Sequence, residues 1–231
     1  RFRSQIENRT KVPILAEIAF QPNKTNLPIV VEEGKRTLVA EEFRELRTNL
    51  SYITFNIKDR SKVILITSSI PNEGKSFVAI NTSISLCLTG SKVVLLEFDL
   101  RKPKISKELG ISRNPGLSTF FIGKSTPEEI VLPHPHIPNF SIIPSGPIPP
   151  NPAELLSLDR LTQIIDTLVS THDLVLVDCP PVLPVSDALL LSRVVDGMLV
   201  VASANTTSAG QLSRTYELLR QVHAPLLGTI L

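Results

Sequence analysis

One short stretch constrains the fold of this chain more than any other: ILITSSIPNEGKSF, residues 64–77. It begins with a β-branched apolar run, is interrupted at residues 68–73, and continues in a helical pattern from Gly74. The predicted order is therefore strand, tight loop and helix, with Gly-Lys-Ser where the helix starts. Successive backbone N–H groups that lead into the positive end of a helix bind phosphate oxygens. The stretch therefore predicts a phosphate-binding loop.

The same loop supplies side chains for a nucleotide and its metal ion. Lys75 can reach the terminal phosphates, and the Ser76 hydroxyl can ligate Mg²⁺. The P-loop consensus has glycine five residues before Gly74, where this chain has Ser69. An incidental Gly-Lys-Ser in a strand–turn–helix is the alternative interpretation. We expect ATP to contact the following loop residues: Ser69, Pro71, Asn72, Glu73, Gly74, Lys75, Ser76 and Phe77.

Length and composition limit the class of protein. The 231 residues, 42% of them hydrophobic and none of them Trp, suffice for one large α/β domain. The net charge of +2 gives no indication of a nucleic-acid partner. Cys87 and Cys179 lack metal-ligand spacing and fit reduced thiols in a reducing compartment. No apolar run approaches a membrane span, and the start at Arg1 leads us to expect a piece of a longer protein.

A second strand-like segment ends in two acids. Residues 93–103, VVLLEFDLRKP, place Glu97 and Asp99 on the same side of the strand because side chains alternate. Acids at the carboxyl end of a strand lie where open α/β sheets bind ligands. There Glu97 and Asp99 could hold Mg²⁺ or its waters, or take a proton from an attacking hydroxyl. An acidic turn after a strand is the simpler alternative.

A third such segment, LVLVDCPP at residues 174–181, has four apolar residues that lead to Asp178 and is halted by two prolines. A buried acid at the tip of a hydrophobic strand often completes a P-loop site by orienting Mg²⁺ through water. We therefore expect a metal site made of Ser76, Glu97, Asp99 and Asp178.

The remaining periodicity completes an alternating order of strands and helices. The apolar pattern predicts the following elements: helices at 38–54, 75–89, 154–170, 186–195 and 208–222, and strands at 62–67, 93–97, 140–143, 174–178, 197–203 and 226–231. This order predicts an α/β fold, a mostly parallel sheet with helices on both faces. Residues 1–35 read as a linker arm on the surface, and residues 36–231 as the domain.

The helix at 38–54 carries two stripes. Leu38, Phe43, Leu46 and Leu50 form the expected apolar side. Beside them Glu41, Arg44 and Arg47 recur every three residues. Such a charged stripe is typical of a solvated face with local ion pairs, and an interface with another subunit is the alternative.

Together these segments resemble the cytoplasmic kinase domain of the bacterial tyrosine kinases that govern capsule and exopolysaccharide export. The resemblance covers residue 13 to the end. TSSIPNEGKS (67–76) is similar to the family's Walker A motif, residues 93–103 to its second Walker A motif, and residues 174–181 to its Walker B motif. EEFRELRTNL (41–50) resembles the family's oligomerisation helix, and SGPIPPNPAELL (145–156) is a further family segment. The implied fold is that of a P-loop NTPase of the partitioning-ATPase type.

The resemblance implies a Mg·ATP-dependent protein-tyrosine kinase. Lys75 and Ser76 would contact the phosphates and Mg²⁺, and Asp99 and Asp178 would complete the metal and catalytic shell. Arg101 would lie beside them. Asp99 is the acid that we expect nearest to the tyrosine hydroxyl.

The resemblance also implies partners. Glu41, Arg44 and Arg47 would pack against a neighbouring subunit in a ring, in which each active site phosphorylates the C-terminal tail tyrosines of the next subunit. A membrane-spanning chain-length regulator would precede the kinase in the same polypeptide, and a phosphotyrosine phosphatase would reverse the reaction. The expected location is the cytoplasmic face of the bacterial inner membrane.

Several residues depart from the family pattern. Asn72 stands where the loop usually has Gly, and Asn is the non-Gly residue best suited to a left-handed backbone. Glu97 replaces the usual Asp, and Lys104 lies near a position where some members carry a regulatory tyrosine. Tyr52 and Tyr216 are the chain's two tyrosines, so the acceptor cluster is absent.

Two other functions stay open. A partitioning-type ATPase switch usually has a second lysine early in the loop, and residues 68–72 contain none. A ring-forming scaffold that binds nucleotide without transferring phosphate is compatible with Asn72 and Glu97.

Overall fold

The structure, a computed structural model, describes residues 3, 6, 7, 10–19, 28–55 and 62–231. Its centre is an eight-stranded sheet with the order β1-β8-β7-β2-β6-β3-β5-β4. The strands are β1 (Ile14–Ala16), β2 (Lys62–Ser68), β3 (Val93–Glu97), β4 (Leu132–Pro133), β5 (Phe140–Ile143), β6 (Leu174–Asp178), β7 (Gly197–Val201) and β8 (Leu226–Ile230). All neighbouring strands are parallel except β4 and β5. The predicted mostly parallel α/β sheet is confirmed.

Helices connect the strands. They are α1 (Leu38–Thr54), α2 (Lys75–Cys87), α3 (Ile105–Glu108), α4 (Leu117–Phe121), α5 (Pro127–Ile130), α6 (Leu158–Val169), α7 (Asp187–Leu191) and α8 (Ala209–Gln221). The predicted helix at 154–170 starts later, at Leu158, because the Ser157 side chain accepts a hydrogen bond from the Arg160 N–H and caps it. Before it, Pro152–Leu155 form a 3₁₀ turn.

Apolar side chains cover both faces of the sheet. In β2, Val63 and Leu65 face the core under α6, α7 and α8, whereas Ile64 and Ile66 face the core under α1 and α2. A fully buried aliphatic side chain contributes about 1.5–3 kcal/mol, and all four are fully buried. A parallel sheet buried on both faces holds its strands rigidly, so the loops at their carboxyl ends have fixed positions.

The structure differs from the sequence analysis at the N-terminal side. Part of the segment interpreted as a surface arm, Ile14–Ala16, joins the sheet as the edge strand β1 beside β8. Val31 is buried, and the neighbouring Val30 N–H donates to Asn81 Oδ1 of α2 at 2.8 Å. Strands β1 and β4 span three and two residues, too short for a clear alternating pattern.

One predicted core position on α1 is wrong. Phe43, Leu46 and Leu50 are buried as expected, but Leu38 is 70% exposed. Leu38 precedes Phe43 by five residues, which places it about 140° away around the helix. In the described part of the chain, no helix has both the length and the hydropathy that a membrane span requires.

Candidate active site

A pocket of about 280 Å³ lies at the carboxyl ends of the central strands. It lies there because β6 pairs with both β2 and β3, which brings the loops after all three strands together. Its lining residues are Pro71, Asn72, Gly74, Lys75, Ser76, Phe77, Asp99, Arg101, Lys102, Lys104, Glu108, Pro180, Pro181, Pro184 and Val185. Most of the predicted nucleotide-binding residues are among them.

The loop between β2 and α2 turns through two left-handed residues. Gly74, which precedes the first residue of α2, has φ of 89°, and Asn72 has φ of 67°. Asn72 thus takes the backbone conformation that the sequence analysis expected it to tolerate in place of Gly. Its side chain is held in place, because Lys104 Nζ donates to Asn72 Oδ1 at 2.8 Å.

Four predicted site residues converge on one another. Lys75 Nζ lies 3.1 and 3.3 Å from the two Asp178 carboxylate oxygens and 3.5 Å from Asp99 Oδ2. The Ser76 hydroxyl donates to Asp178 Oδ2 at 2.8 Å. The Asp178 side chain is enclosed, with 1% exposed, whereas Asp99 lines the pocket. The arrangement joins one cation, two carboxylates and one hydroxyl at the pocket wall.

The charges of this cluster depend on one another. Burial would lower the pKa of the Lys75 ammonium group, but Asp178 and Asp99 outweigh burial and raise that pKa above its ordinary value. Lys75 is therefore a fixed positive charge beside the pocket. Charges of this kind neutralise phosphate oxygens.

The oxygen atoms of the cluster fit Mg²⁺. This ion binds proteins through one or two carboxylates and keeps waters and substrate phosphates as its other ligands. Ser76, Asp99 and Asp178 provide such a set. The described residues contain no cluster of three or more His, Cys, Asp or Glu side chains suited to a metal.

Glu97 is not brought to this cluster. Its carboxylate oxygens accept hydrogen bonds from the backbone N–H groups of Ser106, at 3.0 Å, and Ser145, at 3.1 Å, and the residue is fully buried. Strand β3 ends at Glu97, so Asp99 lies beyond the strand and the alternation that predicted a shared face does not extend to it. The Glu97 side chain ties the end of β3 to α3 and to the segment after β5, and it does not line the pocket.

Two loop residues predicted to contact ATP, Ser69 and Glu73, have side chains that lie away from the pocket. Ser69 Oγ accepts a hydrogen bond from Thr215 Oγ1 of α8 at 2.9 Å. Glu73 accepts one from the Ile70 N–H at 2.7 Å and another from the Thr207 hydroxyl. Neither side chain lines the pocket. Both instead fasten the loop to the segment that follows β7.

Arg101 lies in the pocket wall, as expected, with a partner that the sequence analysis did not identify. Its Nη2 is 3.7 Å from Asp187 Oδ1. Burial raises the pKa of Asp187, and the charge of Arg101 opposes that rise. Asp187 is the first residue of α7, and the preceding Ser186 side chain makes no capping hydrogen bond. Pro180, Pro181 and Pro184 line the pocket, and the position of Asp187 shortly after them in the sequence was the available signal for it.

The charged stripe of α1 makes contacts within its own subunit. Arg44 pairs with Glu41 and donates to the Lys35 carbonyl at 2.6 Å. Arg47 donates to the Ser85 carbonyl of α2 at 2.8 Å, and burial lowers its pKa. The Arg44–Glu41 pair matches the local ion pairs expected of a solvated face, whereas Arg47 is held against α2 by a hydrogen bond to a backbone carbonyl. The subunit-interface role stays a prediction.

Comparisons with known sequences give a consistent result. The ParA family, described as NUBPL iron-transfer P-loop NTPase, matches residues 59–231. Tyrosine-protein kinase YwqD of Bacillus subtilis is 35% identical over 203 residues, which cover 88% of this chain and 84% of that protein. Tyrosine-protein kinase etk of Escherichia coli is 31% identical over 89% of this chain, but the match covers 28% of that longer protein.

Solved structures agree. The kinase domain of Escherichia coli tyrosine kinase ETK superposes with a TM-score of 0.88 at 28% identity, over 98% of this chain and 91% of that one. The septum site-determining protein MinD of Pyrococcus horikoshii, with Mg-ADP, has a TM-score of 0.62 at 23% identity, over 74% of this chain and 70% of that one. The second likeness shows the fold alone.

Proposed function

This chain belongs to the bacterial tyrosine-protein kinases, protein-tyrosine kinases with a ParA-type P-loop fold, and we propose that it transfers the γ-phosphoryl group of Mg·ATP to tyrosines of neighbouring copies of itself. One observation carries the proposal. The cluster of Lys75, Ser76, Asp99 and Asp178 combines a fixed cation, a hydroxyl and two carboxylates. It lies beside a pocket lined by a loop in which two residues have a left-handed backbone.

The protein contributes electrostatic stabilisation. Lys75 neutralises charge that develops on the β and γ phosphates during in-line transfer. Ser76 and the carboxylates of Asp99 and Asp178 fit Mg²⁺, which when bound supplies further neutralisation of the phosphate charge. Backbone N–H groups of the loop orient the phosphates at the start of α2.

The two carboxylates have different access. Asp178 has 1% of its side chain exposed and is engaged by Lys75 and Ser76. Asp99 lines the pocket and is the acid that an incoming tyrosine hydroxyl can approach. Asp99 therefore accepts the tyrosine proton, and Asp178 holds Lys75 and Ser76 in place.

The partners follow from the family. We propose a ring-like homo-oligomer that phosphorylates C-terminal tail tyrosines in trans, next to a membrane-spanning chain-length regulator in the same polypeptide, at the cytoplasmic face of the inner membrane. A phosphotyrosine phosphatase reverses the reaction, and the cycle regulates capsule or exopolysaccharide synthesis. The match covers 28% of the etk kinase, which supports a longer polypeptide, but 84% of YwqD, which does not.

The ring interface can be tested on α1. Arg44 is the better probe, because Arg47 also contacts the Ser85 carbonyl of its own subunit. Arg44→Glu should shift sedimentation toward smaller species. Arg214→Glu is the matched control, since Arg214 forms a similar pair three residues from Glu217 on α8. An unchanged size distribution for Arg44→Glu would remove the interface role of this stripe.

The kinase is tested by incubating the protein with Mg·ATP and a tyrosine peptide, with the Lys75→Met variant alongside. Phosphotyrosine that disappears in the variant supports the proposal. ATP binding without phosphotyrosine on protein or peptide would favour the nucleotide-regulated scaffold. The ATPase switch is less well supported, because residues 68–72 contain no lysine.

A further inference from the structure

The two tyrosines of this chain lie in opposite environments. Tyr216 of α8 is fully buried, and its hydroxyl lies 2.6 Å from Thr229 Oγ1, with which it shares a hydrogen bond. Burial raises the pKa of Tyr216. An active site cannot reach this hydroxyl unless the α8 side of the core opens.

Tyr52 is accessible. It lies in the last turn of α1, which ends at Thr54, and 76% of it is exposed. Phe55, three residues further along, is 82% exposed, so the Tyr52 ring lies on an open part of the surface. No described residue makes a hydrogen bond to the Tyr52 hydroxyl or covers its ring. The hydroxyl is available as a nucleophile.

We propose that Tyr52 is a phosphorylation site of this kinase, modified in trans by the active site of a second copy. The proposal rests on the kinase function above. Tyr52 cannot swing into its own pocket, because α1 is fixed through Phe43, Leu46 and Leu50, which are at most 2% exposed. The buried side of α1 faces α2, whose first turn forms part of the pocket, and Tyr52 lies on the exposed side.

The chemical step balances with the reactants of the proposed kinase function. The Tyr52 oxygen forms a bond to the γ-phosphorus of ATP, and the bond from that phosphorus to the β–γ bridging oxygen breaks. The bridging oxygen keeps the electron pair and leaves on ADP. The phenolic proton passes to Asp99 of the copy that binds ATP, and from there to solvent.

The modification changes the charge of α1. A phosphotyrosine carries about −1.5 to −2 charges near neutral pH, here at the negative end of the helix dipole. The same exposed surface already carries Glu41 and Glu45. The added negative charge at this end of α1 disfavours the last turn of the helix.

The experiment uses the intact chain with Mg·ATP and maps phosphate by peptide mass spectrometry. Wild type is mixed with the Lys75→Met variant, which is identified by its mass. We expect phosphate at Tyr52 of the Lys75→Met chain and none at Tyr216. A Lys75→Met/Tyr52→Phe chain should carry no phosphate. Tyr52→Phe removes only an exposed hydroxyl and leaves the fold unchanged.

An added tyrosine peptide separates the two possible failures. If wild type phosphorylates the peptide but leaves Tyr52 unmodified, the Tyr52 site is refuted and the kinase function stands. If neither the peptide nor the chain acquires phosphotyrosine, the kinase function fails and the Tyr52 site fails with it.

Discussion

The ion pair between Lys75 and Asp178 allows a quantitative prediction for the Lys75→Met variant. Lys75 Nζ lies 3.1 Å from Asp178 Oδ1, and the Asp178 side chain is 1% exposed. Removing the cation leaves a buried carboxylate without a counter-charge, and breaking a buried pair in this way costs about 3–5 kcal/mol. The Ser76 hydroxyl still donates to Asp178, so we expect the free energy of unfolding to fall by about 3 kcal/mol, the lower end of this range.

The loss depends on pH. Burial raises the pKa of Asp178 in the folded protein, and Lys75 opposes that rise, so removing Lys75 raises the pKa of Asp178 further. Between the unfolded pKa and this raised folded pKa, the folded variant binds a proton that the unfolded chain does not bind. Its stability therefore increases as the pH falls through the folded pKa of Asp178 and decreases as the pH rises.

Urea unfolding from mildly acidic to mildly alkaline pH measures this effect. Wild type, Lys75→Met, Asp178→Asn and the double variant form a thermodynamic cycle. At neutral pH the double variant should be more stable than Lys75→Met, because the enclosed Asp178 carboxylate is no longer left without its counter-charge, although neither variant transfers phosphate. Surface ion pairs contribute below about 1 kcal/mol to stability. A decrease of that size in the unfolding free energy of Lys75→Met, independent of pH, would refute the reasoning.

Two further predictions concern buried side chains. Thr215→Val leaves the Ser69 hydroxyl without its donor, which should cost about 1–3 kcal/mol and raise the KM for ATP, since the phosphate loop loses an anchor. Thr82→Val is the matched control, because the buried Thr82 hydroxyl has no partner in the described part of the chain; equal effects on KM would contradict the anchor. Cys87 and Cys179 should resist iodoacetamide until the protein is unfolded, because burial raises the pKa of Cys87 to about 12 and that of Cys179 well above its ordinary value. Labelling of the native protein at the unfolded rate would show that these thiols are accessible.

Elements with strong periodicity could be predicted from the sequence. The strand at 140–143 and the helix at 38–54 have the predicted bounds, because a short apolar run between prolines and a long amphipathic run are clear signals. The edge strand β1 could not be predicted as such. Its three residues pair with β8, more than 200 residues away in sequence, and that pairing leaves no local pattern.

The candidate site divides in the same way. Lys75, Ser76 and Asp178 lie together because motif residues at the ends of adjacent strands must converge. The orientation of Glu97 depends on the backbone N–H of Ser145, 48 residues away, and could not be read from strand alternation alone. Likewise Ser69 meets a partner 146 residues away, on α8. Contacts between residues far apart in the sequence could therefore not be predicted.

The fate of the γ-phosphate tests the central claim most directly. Protein and a tyrosine peptide are incubated with Mg²⁺ and ATP labelled in the γ position, and the label is divided between phosphotyrosine and free phosphate. We predict label on tyrosine, with a large loss in Asp99→Asn although that variant still binds ATP. Label found only as free phosphate would identify an ATPase switch, and bound ATP without any transfer would identify a scaffold; either result contradicts the account.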